Sequence, residues 1–263
     1  MPEKEVLNRT SVTNADKARV ERELGYLKRV AEGDPEAIWG WGNPAGRLRA
    51  KRRAQFIARG ANLRSGIHVL EIGCGTGLFT EMFAQTGARL IAVDLSPEIL
   101  EKARVRGLPE DQVKFIAARF EECEVEGPFD AVIGSSVLHH LVVDESLHKI
   151  FEMLKPGGVL SFAEPNMLNP QIFMERKFTL LRPWVFQFVS PNETAFIRIK
   201  LRRQLVDIGF DNVEITPFDW LHPRTPKSLI SVVEAFGRLL ESLPMVREFS
   251  GSLLIQGRRP PRA

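Results

Sequence analysis

At 263 residues the chain is long enough to bury a substantial core, and it suits one α/β domain carrying an elaborated cap. A hydrophobic fraction of 44% and a charged fraction of 26% exclude disordered and collagen-like classes. The net charge of +3 is too small to imply a nucleic-acid partner by itself. Cys74 and Cys123 make neither a metal-ligand spacing nor a disulfide framework, and they fit a reducing, cytoplasmic setting. No charged-then-apolar leader is evident. No apolar run reaches the roughly 18 residues that a membrane span needs.

Residues 15–32 (ADKARVERELGYLKRVAE) read as a charged amphipathic helix, with Val20, Leu24, Leu27 and Val30 on one side. A Trp/Gly/Pro break (IWGWGNPAG) precedes a second helix from Pro44 to Asn62. Trp39 and Trp41, beside Gly40 and Gly42, read as a lid closing over a ligand; the other reading is a hydrophobic anchor for the N-terminal extension. Residues 47–59 (RLRAKRRAQFIAR) bear Arg47, Arg49, Lys51, Arg52, Arg53 and Arg59 with no acid among them. Such a run suits RNA, an anionic membrane or an acidic substrate. Charge runs on helices are usually solvated, and a solvated face is the expectation here.

From His68 the pattern alternates strands with helices, as a parallel sheet requires. HVLEIG, RLIAVDL, VKFIAA, FDAVIGSS and GGVLSFAEP read as strands one to five. One helix starts near Leu78, another at the cap-and-proline pair Ser96-Pro97, and a third ends at Lys155-Pro156-Gly157-Gly158. An interruption over 165–193 is followed by a helix from Thr194 to Ile208, stopped by Gly209, and a sixth strand, NVEITPF. A helix over about 226–243 and a last strand, SGSLLIQGR, follow. In that helix Leu229, Val232, Val233, Phe236, Leu239, Leu240 and Leu243 recur at helical spacing, which predicts a core-facing stripe. The expected fold is a Rossmann-like, doubly wound, seven-stranded α/β sheet whose last strand is antiparallel. It forms a single domain over 1–263, with an N-terminal helical extension or lid (1–62) and a cap inserted after the fifth strand (165–193).

In an open α/β sheet the first strand–helix turn approaches the ligand at the carboxyl ends of the strands. Gly73, Gly75 and Gly77 occupy that turn. No Gly-Lys-Ser/Thr ending follows, which excludes a triphosphate-gripping loop. The spacing is G-x-G-x-G, with Leu78 where a dinucleotide fingerprint places its last glycine. Glu71, two residues before the first glycine, is awkward beside a pyrophosphate and favourable beside a cation. Asp94, ending the second strand, is placed to accept two ribose hydroxyls, a feature that dinucleotides share. The loop favours a positively charged nucleoside without phosphate.

EIGCGTG with Asp94, FDAVIGSSVLHHL and LKPGGVLSFAEPN together resemble the class I S-adenosylmethionine-dependent methyltransferases, in particular those acting on small molecules and lipids. The resemblance covers about residues 65–165 well, and the C-terminal sheet in general pattern. It implies that Gly73, Cys74, Gly75 and Gly77 pack on the methionine part of S-adenosyl-L-methionine, with Glu71 near its ammonium. It implies Asp94 on the ribose, Leu95 beside the adenine, and Ser135 at the methionine end. The acid that often reads the adenine edge is replaced by Arg119, so adenine recognition falls to backbone groups and to stacking on Phe120.

Methyl transfer from a sulfonium is an in-line displacement that needs alignment and a dry site, with a base only where the acceptor must lose a proton. His139 and His140, directly after the fourth strand, and Glu164, ending the fifth, are the candidate catalytic groups. LHHL also reads as a helix start with one packed and one solvated histidine, and Glu164 as a loop cap. No Asn/Asp-Pro-Pro-Tyr and no Pro-Cys follows the fourth strand, which disfavours nucleic-acid chemistry. Residues 167–190 interleave Phe173, Phe178, Trp184, Phe186 and Phe188 with Glu175, Arg176, Lys177 and Arg182. Apolar ligand pockets, surfaces resting on lipid, core-packed caps and dimer contacts all have this composition. The expectation is methylation of a hydrophobic or amphipathic small molecule (lipid, polyketide- or quinone-like), with oxygen favoured as acceptor atom because histidine bases are available. An RNA-modifying enzyme using the basic 47–59 helix and a non-catalytic cofactor-binding module are the alternatives. Oligomeric state is left open.

Overall fold

A computed structural model describes residues 14–177 and 194–261. Phe178, Arg182, Trp184, Phe186 and Phe188 of the expected cap lie outside the described residues. The chain opens with α1 (Asn14–Ala31), α2 (Pro35–Ile38) and α3 (Pro44–Gly60). Asp34 and Asn43 cap α2 and α3 by accepting N–H groups of Ala37 and Gly46, with proline in each first turn.

The alternating part follows as β1 (His68–Ile72), α4 (Leu78–Ala84), β2 (Arg89–Asp94), α5 (Pro97–Arg104), β3 (Val113–Ala117), β4 (Phe129–Ser135), α6 (Val143–Met153) and β5 (Leu154–Pro165). Beyond it lie α7 (Pro170–Lys177), α8 (Arg198–Ile208), β6 (Asp211–Phe218), α9 (Ile230–Ser242) and β7 (Ser252–Arg258). The strand order is β3-β2-β1-β4-β5-β7-β6. β7 runs antiparallel to both β5 and β6; the other pairings are parallel.

Side-chain period two divides the core into two layers. Val69, Ala131, Ile133 and Ala163 face α3 and α4, meeting Ala50, Ala54, Ile57 and Phe83. Leu70, Ile72, Val132 and Leu160 face the other way, onto Leu147, Leu201 and Leu205 of α6 and α8. Both faces are covered, so β4 is a nearly continuous apolar run. The sheet reverses its winding between β1 and β4, and a crevice opens at their carboxyl ends.

Four expectations need correction. β5 begins at Leu154, which pairs with Phe129, so α6 stops at Met153 ahead of the Lys-Pro-Gly-Gly run. α8 begins at Arg198, because Phe196 is tied to the end of β5: its N–H reaches the Pro165 carbonyl at 3.0 Å. The basic run of α3 is not a solvated face: Arg53 is buried, Arg49 bonds Asp219, and Arg52 bonds Glu241, leaving Arg47, Lys51 and Arg59 outward. The apolar stripe of α9 does not enter the core either, since Leu229, Val232, Phe236, Leu239 and Leu243 are exposed. Among the described residues no helix is long and apolar enough to cross a membrane.

Candidate active site

The carboxyl ends of β1, β2, β4 and β5 open into a cleft of about 810 Å³. α1 covers it, contributing Arg19, Glu23 and Tyr26. Arg19 donates to the carbonyls of His140 and Leu141, which latches this helix across the β4 end.

The glycine loop is shaped from within. Gly73, Gly75 and Gly77 take φ of +67°, +55° and +74°, a region L side chains avoid. A Cβ on Gly73 would fall 2.3 Å from Val137 Cγ2, so the loop is pressed against the segment after β4. Gly73 and Gly75 line the cleft. Gly77 does not: it caps α4 and backs onto α5, with a Cβ position 3.0 Å from Ala103 Cβ. Its role is helix packing. Cys74 lines the cleft, and burial raises its thiol pKa well above the usual value, making it an unreactive wall.

Asp94 accepts N–H bonds from Gly75 (2.8 Å) and Ser96 (3.0 Å), one at each carboxylate oxygen. Each oxygen keeps capacity for a second donor, as a ribose diol requires. Burial raises the Asp94 pKa, and these backbone donors oppose that rise. Leu95 lies beside it on the cleft wall. Glu71 does not line the cleft. It is buried beneath the loop, and burial pushes its pKa to about 8, against the neighbouring Thr80 hydroxyl. Arg119 is held by Glu121 at 3.3 Å and Glu122 at 2.8 Å. Phe120 is a packed core wall, 4% exposed, with the Lys149 ammonium 5.2 Å from its ring centroid. Arg119 and Phe120 both line the cleft, Phe120 with little of its ring exposed.

The structure pairs His139 with Glu164; His140, whose ring centroid lies 4.1 Å from that of His139, also lines the cleft. Glu164 is wholly buried. One carboxylate oxygen accepts the Val137 and Leu138 N–H groups, both at 2.9 Å; the other lies 2.6 Å from His139 Nδ1. Burial works to raise the Glu164 pKa, but His139 and the two N–H donors outweigh it and hold the carboxyl below its ordinary range. An ionised carboxylate only accepts, so Nδ1 carries a proton, which leaves Nε2 as the basic nitrogen whenever the ring is neutral. His140 turns to the covering helix, its Nδ1 3.4 Å from Glu23.

Several cleft residues escaped sequence reasoning. Arg53, 3% exposed, lies across the ends of three strands: it donates to Ser136 Oγ of the β4 turn (2.8 Å), the Ala163 carbonyl of β5 (3.1 Å) and Ser252 Oγ of β7. Ser135 Oγ is 3.4 Å from the same guanidinium. Burial, aided by Arg49, lowers the Arg53 pKa to about 10, so it stays charged. Among the described residues no carboxylate is within ion-pair distance of Arg53, and its Nε has no partner. The available signal was the i,i+4 placement of Arg49 and Arg53 on the face of α3 that also carries Ala50, Ala54 and Ile57.

Trp41 packs edge-on against Phe79 at 5.5 Å, and the Arg49 and Arg53 guanidinium groups lie 5.3 and 5.5 Å from its ring centroid. Trp39 lies over Gly75. One tryptophan anchors and the other covers. His222, 2.9 Å from Gln171, closes the far end of the cleft.

The comparisons with known proteins agree with this fold and cleft. Residues 69–158 match the family model described as a methyltransferase domain. A ubiquinone biosynthesis O-methyltransferase of Xylella fastidiosa (strain M23) is 36% identical over 134 residues, 46% of this chain and 52% of that protein. The chain thus spans about half the length of the curated relatives it matches. Among solved structures, the N-methyltransferase NodS of Bradyrhizobium japonicum WM9, in complex with S-adenosyl-L-homocysteine, has a TM-score of 0.61 at 20% identity, covering 91% of this chain and 99% of that one. Magnesium protoporphyrin IX methyltransferase of Synechocystis PCC 6803, with the same compound bound, has a TM-score of 0.60 at 16% identity, covering 92% and 99%. At these identities the two structures share the fold.

Proposed function

We propose that the protein methylates a hydroxyl group of a hydrophobic or amphipathic small molecule, using S-adenosylmethionine as donor. The observation that carries this reading is His139, which lines the glycine-loop cleft and is backed by the buried Glu164 carboxylate. The cleft suits the donor on two counts. Asp94 offers two carboxylate oxygens for a ribose, and Arg53 is a buried cation with no carboxylate partner among the described residues, as the amino-acid tail of the donor would supply. Bound there, the cofactor supplies an electrophilic methyl group on a sulfonium.

The chain's own residues do the rest. His139 Nε2 accepts the hydroxyl proton as the acceptor oxygen becomes nucleophilic. Glu164 keeps the ring oriented and stabilises the imidazolium, while the Val137 and Leu138 N–H groups keep that carboxylate ionised. Trp39 and α1 exclude water from above. The name of the Xylella relative, an O-methyltransferase of ubiquinone biosynthesis, supports an oxygen acceptor on a quinone-like ring. Buried free thiols at Cys74 and Cys123 support a reducing, cytoplasmic setting. The inward placement of Arg49, Arg52 and Arg53 supports a small-molecule acceptor over the RNA reading.

The test is S-adenosylhomocysteine production by purified protein with a panel of hydroxylated aromatic acceptors, with and without prenyl chains. Turnover that His139→Ala abolishes, with product affinity unchanged, supports the proposal. Equal turnover by wild type and His139→Ala sinks the base assignment, and no turnover across the panel sinks the acceptor class.

A further inference from the structure

The exposed stripe of α9 has a regular spacing. Val232, Phe236 and Leu239 of α9, with Leu229 and Leu243 immediately beyond its two ends, follow one another at intervals of 3, 4, 3 and 4 residues, and each is between 43% and 66% exposed. That is the a/d seam of two heptads, the pattern by which one helix packs against another. The opposite side of α9 is already used: Gly237 is buried against Trp220, and Glu241 bonds Arg52 and the Asp219 N–H. The seam therefore has no role within the described fold.

We infer that α9 is a homodimer interface, in which the helix packs antiparallel against the same helix of a second copy. Three observations select this occupant. First, the stripe is nearly palindromic about Phe236. A two-fold axis there sets Leu229 on Leu243 of the other copy and Val232 beside Leu239, the self-complementarity an isologous contact needs. Second, the five seam residues expose on the order of 500 Å² of apolar surface, and Met245 (84% exposed) with Phe249 (48%) brings the patch to roughly 800 Å², the share one partner contributes to a standard interface. Third, the seam's flanks are Ala235 and Ser242 on one side and Val233 and Leu240 on the other. The helix itself carries one cation, Arg238, against Glu234 and Glu241. An interfacial helix resting on anionic lipid shows a cation-rich polar face instead.

Trp220 and His222 line the acceptor end and lie on the segment that α9 backs. Sedimentation equilibrium of the full chain tests the inference. The wild type sediments as a dimer at about 10 μM, and Leu239→Glu and Phe236→Glu raise the dissociation constant at least about 100-fold while keeping S-adenosylhomocysteine affinity. Under mild oxidation Val232→Cys protein mixed with Leu239→Cys protein cross-links, and Val232→Cys alone does not. A wild-type monomer at about 100 μM overturns the inference. Co-flotation with anionic vesicles that Leu239→Glu abolishes also overturns it, assigning the face to lipid.

Discussion

The two halves of the cleft are built by different means. At the ends of β1 and β2, ligand-facing groups come from short stretches of chain: Gly73, Cys74 and Gly75 from one turn, Asp94 and Leu95 from the next. Backbone geometry does most of the shaping there, and Asp94 is itself held by two backbone N–H groups. At the ends of β4, β5 and β7 the wall is made of side chains brought from afar. Arg53 reaches Ser252 across 199 residues, and His139 meets Glu164 across 25. A backbone-built half suits an invariant ligand; a side-chain-built half is open to change with the acceptor.

Variants that strike one half and spare the other test this division. The largest expected effect belongs to the acceptor half. His139→Ala lowers methyl transfer by about 10²- to 10⁴-fold, the usual contribution of a positioned base, and leaves S-adenosylhomocysteine affinity within about threefold by calorimetry. Glu164→Gln removes the charge that favours the imidazolium, so it lowers turnover and moves the acid limb of the rate profile to lower pH. An unmoved limb breaks the pair apart.

In the donor half, Asp94→Ala weakens cofactor binding by about 100-fold, the worth of two hydrogen bonds to a charged group. A change below threefold removes Asp94 from the ribose. Arg53→Met belongs to both halves and sharpens the boundary. It weakens S-adenosylhomocysteine binding by roughly tenfold or more through loss of a charge-assisted contact, yet leaves methylthioadenosine, which lacks the amino-acid tail, unaffected. Equal losses for the two ligands place Arg53 on the acceptor instead.

The smallest effect is a pH slope from Glu71. Its folded pKa of about 8 lies above the usual carboxylate value of 4.5, so the folded state holds this proton more tightly than the unfolded one. That contribution is complete below pH 4.5 and is lost as pH rises through 8. Thermal melting of the free protein then falls over that window, and Glu71→Gln flattens the slope. S-adenosylhomocysteine flattens it too if its ammonium lies near Glu71, because a nearby cation stabilises the carboxylate.

Legibility in the sequence follows the same division. The strand order class, the Ser96 cap, the glycine turn and Asp94 are local patterns, and all were readable. His139 and Glu164 were each identifiable, but their pairing depends on β4 lying beside β5 in the register that sets Ser135 opposite Ala163. Charge and hydropathy misled where they were used as proxies for burial. α3 carries a run of cations and is core because its small residues, Ala50 and Ala54, lie on the same side as Arg53. α9 is apolar and exposed because periodicity shows which face is greasy without showing whether a second layer covers it.

The antiparallel placement of β7 between β5 and β6 also orders events during synthesis. β1 to β5 can pair as they emerge, and the donor half can form around Asp94 on the growing chain. β6 has no neighbour in the sheet until residues 252–258 have been added. Arg53 likewise waits for Ser252. The side of the cleft at β4, β5 and β7 is thus completed last, after the side at β1 and β2 that carries Asp94.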